Sequence, residues 1–233
     1  MDITLYRGHT PPANPDGITV VIDVIRAFTT AHEAFVGGAR HIHLVATARQ
    51  ALQLKQDNPD WLLAGEVDAL PIDGFDFGNS PWEMRRTDVA GRELVQRTTN
   101  GVTATLAARN SATVLVAGLI NARATAAWIR QQPPQPVLLV ASHPTGDEDM
   151  ACAEFIRQQL TGEGTDLAEA MTRTRDATAA AKFLRGDHPR LRADDIHIAA
   201  SDAGEDALVM QADFSETLPR LTCLNRAGLH DHS

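Results

Sequence analysis

The sequence predicts an α/β protein, a layered α/β/α arrangement on a mainly parallel or mixed sheet with a less regular C-terminal portion. Three observations predict it. Residues 18–25, ITVVIDVI, form an apolar, β-branched run of the kind a strand covered on both faces requires. From there to residue 142 such runs alternate with helical patterns, as in parallel strands joined by crossover helices. With 43% hydrophobic and 22% charged residues in 233, the composition is that of a globular chain able to bury a core. The length suits one domain over residues 1–233, or two lobes with a helical portion from about residue 148.

Each element has a local reason. After the first strand, Arg26 leads into a helical stretch that Gly37-Gly38 ends. Residues 41–46 read as a strand and 47–56 as a helix with Thr47 at its N-cap. Residues 61–64 are a third strand and 93–98 a fourth, which Asn100-Gly101 turns into a helix over 102–109. Residues 113–117 are a strand and 121–131 its helix; Pro133-Pro134 precedes a sixth strand over 137–142. Beyond it, 148–160 and 166–184 read as two helices joined at Gly162–Gly164. Residues 186–233 have no clear period, with an edge strand expected near 207–211 and fraying at 229–233.

Charge and cysteine content narrow the function. A net charge of −9 and a pI near 5.4 disfavour nucleic acid or an anionic membrane as partner. Cys152 and Cys223 have no CxxC spacing, so a disulfide framework or zinc ribbon is not expected. No apolar run approaches the roughly 18 residues of a membrane span, and no secretory pattern opens the chain, so a cytoplasmic location is expected. The oligomeric state is open, a homo-oligomer being the working expectation.

The most informative stretch is 65–81, GEVDALPIDGFDFGNSP, which continues no helical or strand period. Four carboxylates, Glu66, Asp68, Asp73 and Asp76, sit among glycines, prolines and apolar anchors such as Phe75 and Phe77. Loops of this length in compact domains are usually functional or disordered, and the aromatic anchors argue for function. Open α/β sheets bind ligands beyond the carboxyl ends of their strands. Asp23, Arg26, Glu66, Thr98, Thr99, Asn100, Gly101, Asn121, Ser142, His143, Glu148 and Asp149 all follow predicted strands, so parallel strands would gather them on one rim. Oxygen ligands without His/Cys clusters suit Mg²⁺ or Mn²⁺ rather than zinc. The 98–101 turn opens a helix whose N–H groups could hold an anion, and Arg26 adds a planar fork. A phosphorylated metabolite is the implied ligand, with metal-assisted phosphoryl chemistry.

Plainer roles compete with these. Asp23, Asn100 and Asn121 could cap helices, and Glu148 and Asp149 are acids favoured by a helix dipole. Cys152 reads as a buried small residue and lacks an arginine at phosphatase spacing. His41 and His43 lie at a strand start, away from the rim, and His230 and His232 lie in the tail. No P-loop or GxGxxG is present.

VIDVIRAFTT (21–30), GE with GFDFGNSP (65–81), RTTNG (97–101), GLINARA (118–124) and EDMAC (148–152) together resemble the 2-phosphosulfolactate phosphatase (ComB) family, in order and spacing over about residues 18–160. The resemblance implies an α/β phosphoric monoester hydrolase that uses Mg²⁺ to convert 2-phospho-3-sulfolactate to 3-sulfolactate and phosphate, a step towards coenzyme M. It implicates Asp23, Glu66 and Asp149 as catalytic, and Asp23, Glu66, Asp76, Glu148 and Asp149 as metal contacts. It implies substrate contacts from Arg26, Asn79, Ser80, Arg97, Thr99, Asn100, Gly101 and Asn121. The sequence departs from the family pattern at Phe28, where Thr or Ser is expected, and at Val67 and Thr103, where cations are expected; Arg97 could replace one of those cations. The departures keep open another small phosphorylated hydroxy acid as substrate, or a non-catalytic anion-binding protein on the same scaffold.

Overall fold

The computed structural model describes residues 1–164 and 166–225. The expectations for 229–233, His230 and His232 lie outside these residues. Two sets of parallel strands carry the fold. The first comprises β1 (Ile3–Arg7), β2 (Ile18–Ile22), β7 (Thr113–Ala117) and β8 (Val137–Ala141), in the order β1-β8-β2-β7. The second comprises β3 (His41–Leu44), β4 (Leu62–Val67) and β6 (Glu93–Arg97), in the order β3-β6-β4. The two strands β9 (Met210–Asp213) and β10 (Arg220–Cys223) bridge the sets, and β5 (Leu70–Pro71) folds back on β4.

The α/β expectation holds, with one correction to strand polarity. The pairs β7–β9, β9–β10 and β10–β3 are all antiparallel, so the second parallel set runs opposite to the first. Their carboxyl ends cannot share a rim by polarity alone. On a flat sheet β2 and β6, five strands apart in the order, would be about 24 Å from each other. Yet the Gly101 amide, just beyond β6, donates to the Asp23 carboxylate, just beyond β2, at 2.9 Å. The sheet therefore curls, and α1 (Ala27–Val36) fills the enclosed side with Ala27 to Phe35 all buried. Its Phe28 and Phe35 pack with Val21, Val116 and Val140 of one set and Ile42, Leu44 and Leu94 of the other.

β2 shows the pattern on which the fold expectation rested. Val21 faces α1, while Ile18, Val20 and Ile22 face α5 (Ala122–Arg130) and α6 (Asp147–Thr161) on the other side. Thr47 caps α2 (Ala48–Asp57) as predicted, with Gln50 completing a capping box. A four-residue helix, α3 (Pro81–Met84), begins after Ser80, and α4 (Gly101–Ala107) follows β6.

Other differences are local. β1 had no counterpart in the sequence reading. The 65–81 stretch is not strand-free: β4 continues to Val67, turns tightly into β5, and Phe77 then bridges to Ala64. The helix expected over 166–184 is two, α7 (Leu167–Asp176) and α8 (Thr178–Leu184), broken at an extended Ala177. Alanine favours helix, so the sequence gives no signal of the break. Tertiary packing sets it: Ala177, Ala180 and Phe183 are buried with Leu191 and with Ile196 of α9 (Ala193–Ala199). The edge strand expected near 207–211 is β9, which lies inside the sheet. Among the described residues no helix is long and apolar enough to cross a membrane.

Candidate active site

The site starts where β2 ends. Asp23 is buried, and its two carboxylate oxygens accept from the Ala27 amide that opens α1 and from the Gly101 amide that opens α4, each at 2.9 Å. Glycine at 101 permits this approach, since a Cβ there would sit 2.7 Å from Asp23 Oδ2. Burial pushes the Asp23 carboxyl up to about 6; the two amides pull it down, and neighbouring Glu66 and Glu148 add to the rise.

Glu66, on β4, accepts from the Thr99 and Ala69 amides, each at 2.7 Å. Asp68 and Ala69 form the β4–β5 turn with φ of 52° and 69°, the left-handed geometry of a two-residue hairpin turn. Glycine and asparagine usually fill such positions, so an alanine there implies support from its surroundings. Glu66 holds the Ala69 amide, and Arg26 donates to the Ala69 carbonyl at 3.0 Å.

Arg26 is itself anchored. Its Nη1 donates to Asp195 Oδ2 at 2.7 Å, and its guanidinium carbon lies 4.5 Å from the centre of the Phe183 ring. Asp195 is fully buried in the first turn of α9; its other oxygen accepts from Ser80 Oγ at 2.6 Å and from the Trp82 amide at 3.1 Å. One carboxylate thus ties the α1 start, the loop before α3 and α9 together.

These groups surround a cavity of about 260 Å³. Of the sequence candidates, Asp23, Arg26, Glu66, Asn79, Thr99 and Asn100 line it. Asn79 Oδ1 is buried without a hydrogen-bond partner. His143, Asp68, Lys182 and Phe183 complete most of the wall.

The sequence model of the 2-phosphosulpholactate phosphatase family matches residues 5–212. The chain belongs to that family. It is 44% identical over 201 residues to a probable 2-phosphosulfolactate phosphatase of Bacillus subtilis, covering 84% of this chain and 87% of that protein. A probable 2-phosphosulfolactate phosphatase of Symbiobacterium thermophilum is 32% identical over 224 residues, 93% and 94% of the two chains. One of Gloeobacter violaceus is 35% identical over 178 residues, 73% and 75%. The match runs well past residue 160, where the motif resemblance stopped, and takes in Lys182 and Asp195.

Within this 2-phosphosulpholactate phosphatase fold, several candidates do other work. The Thr99 and Gly101 amides are engaged by Glu66 and Asp23, so the turn orients carboxylates instead of presenting those two amides to an anion. Ser80 caps α3 and donates to Asp195. Arg97 donates to the Glu66 carbonyl at 2.7 Å, steadying the strand behind the site. Asn121 is fully buried, accepting from the Gly118 amide and donating to the Leu208 carbonyl. Asp76 stands apart from the cavity, accepting from the Leu63 amide and facing Lys55 at 3.2 Å. Val67 and Thr103 are both exposed and outside the cavity wall.

Glu148 and Asp149 lie behind Asp23. Asp149 accepts from the Val24 and His143 amides at 2.8 and 3.0 Å, and burial, Asp23 and Glu148 push its carboxyl well up. Burial also raises Glu148, with Asp147 adding to it, and its Oε2 is buried without a hydrogen-bond partner. Adjacent buried carboxyls, one with an unpartnered oxygen, form a donor set that a hard divalent cation fits. Among the described residues no three His, Cys, Asp or Glu side chains are grouped as a ready-made metal cage. Magnesium is commonly held by one or two carboxylates, water and substrate phosphate, so it does not require one.

Lys182 and Asp195 were not singled out from sequence. Asp195 shares its Asp-Asp pair with Asp194, and nothing local tells which one turns inward. Lys182 had a compositional signal: it is one of two lysines among 21 basic residues, the other being Lys55.

Proposed function

We propose that this chain hydrolyses the phosphate monoester of 2-phospho-3-sulfolactate to 3-sulfolactate and inorganic phosphate, with Mg²⁺ as the metal. The observation that carries the reading is the buried Asp23 carboxylate, fixed by the Ala27 and Gly101 amides in a cavity it shares with Glu66, Asn79, Asn100 and Arg26. Family membership and the names of the relatives support the substrate class.

The reaction adds water to phosphorus and breaks the bond from phosphorus to the ester oxygen; one proton leaves the water and one reaches the departing alkoxide. A carboxyl near 6 is ionised at neutral pH and still basic enough to take the water proton. The Ala27 and Gly101 amides fix Asp23 in orientation, so ordering it at reaction costs little. Arg26, held by Asp195 and Ala69, offers its remaining N–H groups to phosphoryl oxygens. Glu66, with Glu148 behind it, would hold magnesium beside Asp23, whose carboxylate stays free for the proton. Bound there, the metal would polarise the phosphoryl group and offset its charge.

Phosphate release from 2-phosphosulfolactate, 2-phospholactate and phosphoglycerate, with Mg²⁺ or with EDTA, tests the reading. Fast turnover of the sulfonate substrate that EDTA and Asp23→Asn both abolish is expected. Turnover of another ester would change the substrate, and silence across the panel with intact fold would favour an anion-binding protein.

A further inference from the structure

We propose that Lys182 is the specificity-determining cation of this cavity and that it receives the sulfonate of the substrate; the inference rests on the phosphatase reading above. α8 carries Lys182 into the wall of the cavity that Asp23 and Glu66 also line. Two basic side chains line the cavity, Arg26 and Lys182. Arg26 is neutralised by the buried Asp195, whereas the Lys182 ammonium makes no hydrogen bond or ion pair among the described residues. Its ammonium lies 5.7 Å from the centre of the Phe183 ring, the same ring on which Arg26 rests at 4.5 Å. One ring thus meets both a cation committed to Asp195 and one whose ammonium is unpaired.

The type of cation decides which anion it takes. The named substrate of the relatives carries a phosphate, a carboxylate and a sulfonate on three carbons. A guanidinium fork matches planar carboxylates and phosphates bidentately, whereas an ammonium is a compact charge with three rotatable donors. A sulfonate is not planar like a carboxylate, so it suits the ammonium, while the phosphate, of the same threefold shape, falls to Arg26 on the wall it shares with Asp23; this chain uses arginine at all but two of its 21 basic positions. Phe183, Ala177 and Ala180 are buried in a small cluster with Leu191 and Ile196, and Ile25 and Ala69 pack against it. That cluster fixes the helix carrying Lys182 relative to Arg26, as a reader of one substrate length requires.

The test compares 2-phosphosulfolactate with 2-phospholactate, which lacks only the sulfonate, in wild type, Lys182→Met and Lys182→Arg. Losing one charge-assisted contact, Lys182→Met should lower kcat/KM for the sulfonate substrate by about 10- to 100-fold more than for phospholactate, chiefly through KM. Lys182→Arg should recover part of that difference. Equal losses on both substrates, or no loss on either, would overturn the assignment while leaving the phosphatase reading intact. A binding readout stands apart from turnover: thermal stabilisation of wild type by 3-sulfolactate should vanish in Lys182→Met, and its persistence would equally overturn the assignment. If wild type turns over neither ester, the substrate reading fails first, and 3-sulfolactate binding alone decides for or against Lys182.

Discussion

Replacing Asp195 with asparagine should weaken the protein and its chemistry together. Both members of the Arg26–Asp195 pair are almost wholly buried, 3% and 0% exposed, at 2.7 Å. Asparagine can keep an oxygen for Ser80 Oγ and the Trp82 amide, but it turns an N–H group towards the Arg26 guanidinium. Breaking a buried pair from one side costs about 3–5 kcal/mol. Since asparagine retains two of the three hydrogen bonds, about 3 kcal/mol is expected. At about 2–4 °C per kcal/mol for a chain of this size, Tm should fall by about 6–12 °C. The freed guanidinium also loses its aim at the cavity, and misplacement of about 1 Å costs on the order of 100-fold in rate. A double-mutant cycle with Arg26→Gln, read by urea unfolding and by kcat/KM, isolates the pair. A stability coupling of about 2 kcal/mol is expected. If the single effects add to within about 0.5 kcal/mol, or Asp195→Asn keeps wild-type kcat/KM, then Asp195 does not position Arg26.

The kcat/KM profile measured with Mg²⁺ should fall on the acid side with a limb below about 6, since Asp23 loses its charge as pH drops and the nearby cation lowers the pH at which it does so. The same raised pKa makes the Asp23 contribution to folding fully present below its unfolded value of 3.8 and lost as pH rises through 6, which apo-protein unfolding would detect. Glu33 behaves oppositely. Buried but held by Nε and Nη2 of half-exposed Arg85 at 2.7 and 2.8 Å, its carboxyl is pulled down to about 2. Its stabilisation is present above 4.5 and lost as pH falls through 2, so Glu33→Gln should cost about 1–2 kcal/mol at pH 7 after discounting for solvent, a gap that closes in acid. Gly101→Ala should reduce activity at least tenfold, because the added methyl meets Asp23 Oδ2 at 2.7 Å; wild-type rates in that variant would remove the Asp23–Gly101 contact from the mechanism.

The legible parts of this molecule were those governed by short-range rules. β2 announced itself by its unbroken apolar run, and α2 by Thr47 at its N-cap. Asp23, Glu66, Asn100 and Arg26 could be placed because each follows a strand, and the structure does bring them to one cavity. The rim argument reached that grouping by the wrong route, since strand polarity is set by β9 and β10, which are short and sequence-remote from β3 and β7. Asn121, Ser80 and Asp76 have the residue types of a site and yet serve caps and strand ends; only their actual partners distinguish the two uses. Lys182 and Asp195 were hidden because α8 and α9 are short, and the Ala177 break depends on packing that a helical pattern does not encode.

The bridging pair β9–β10 has a consequence for how the protein is made. β3, at residues 41–44, hydrogen-bonds its neighbour β10 only once residues 220–223 exist. A nascent chain leaving the ribosome can therefore assemble β1, β2, β7 and β8 while the other parallel set still lacks its permanent link to them. Contacts of such sequence separation slow folding and leave strand edges open to wrong partners. Asp23 and Glu66 are translated early, but the enzyme they belong to closes late. A message cut short before codon 210 would yield chains that hold most of the candidate site groups but lack the strands that join the two halves of the sheet.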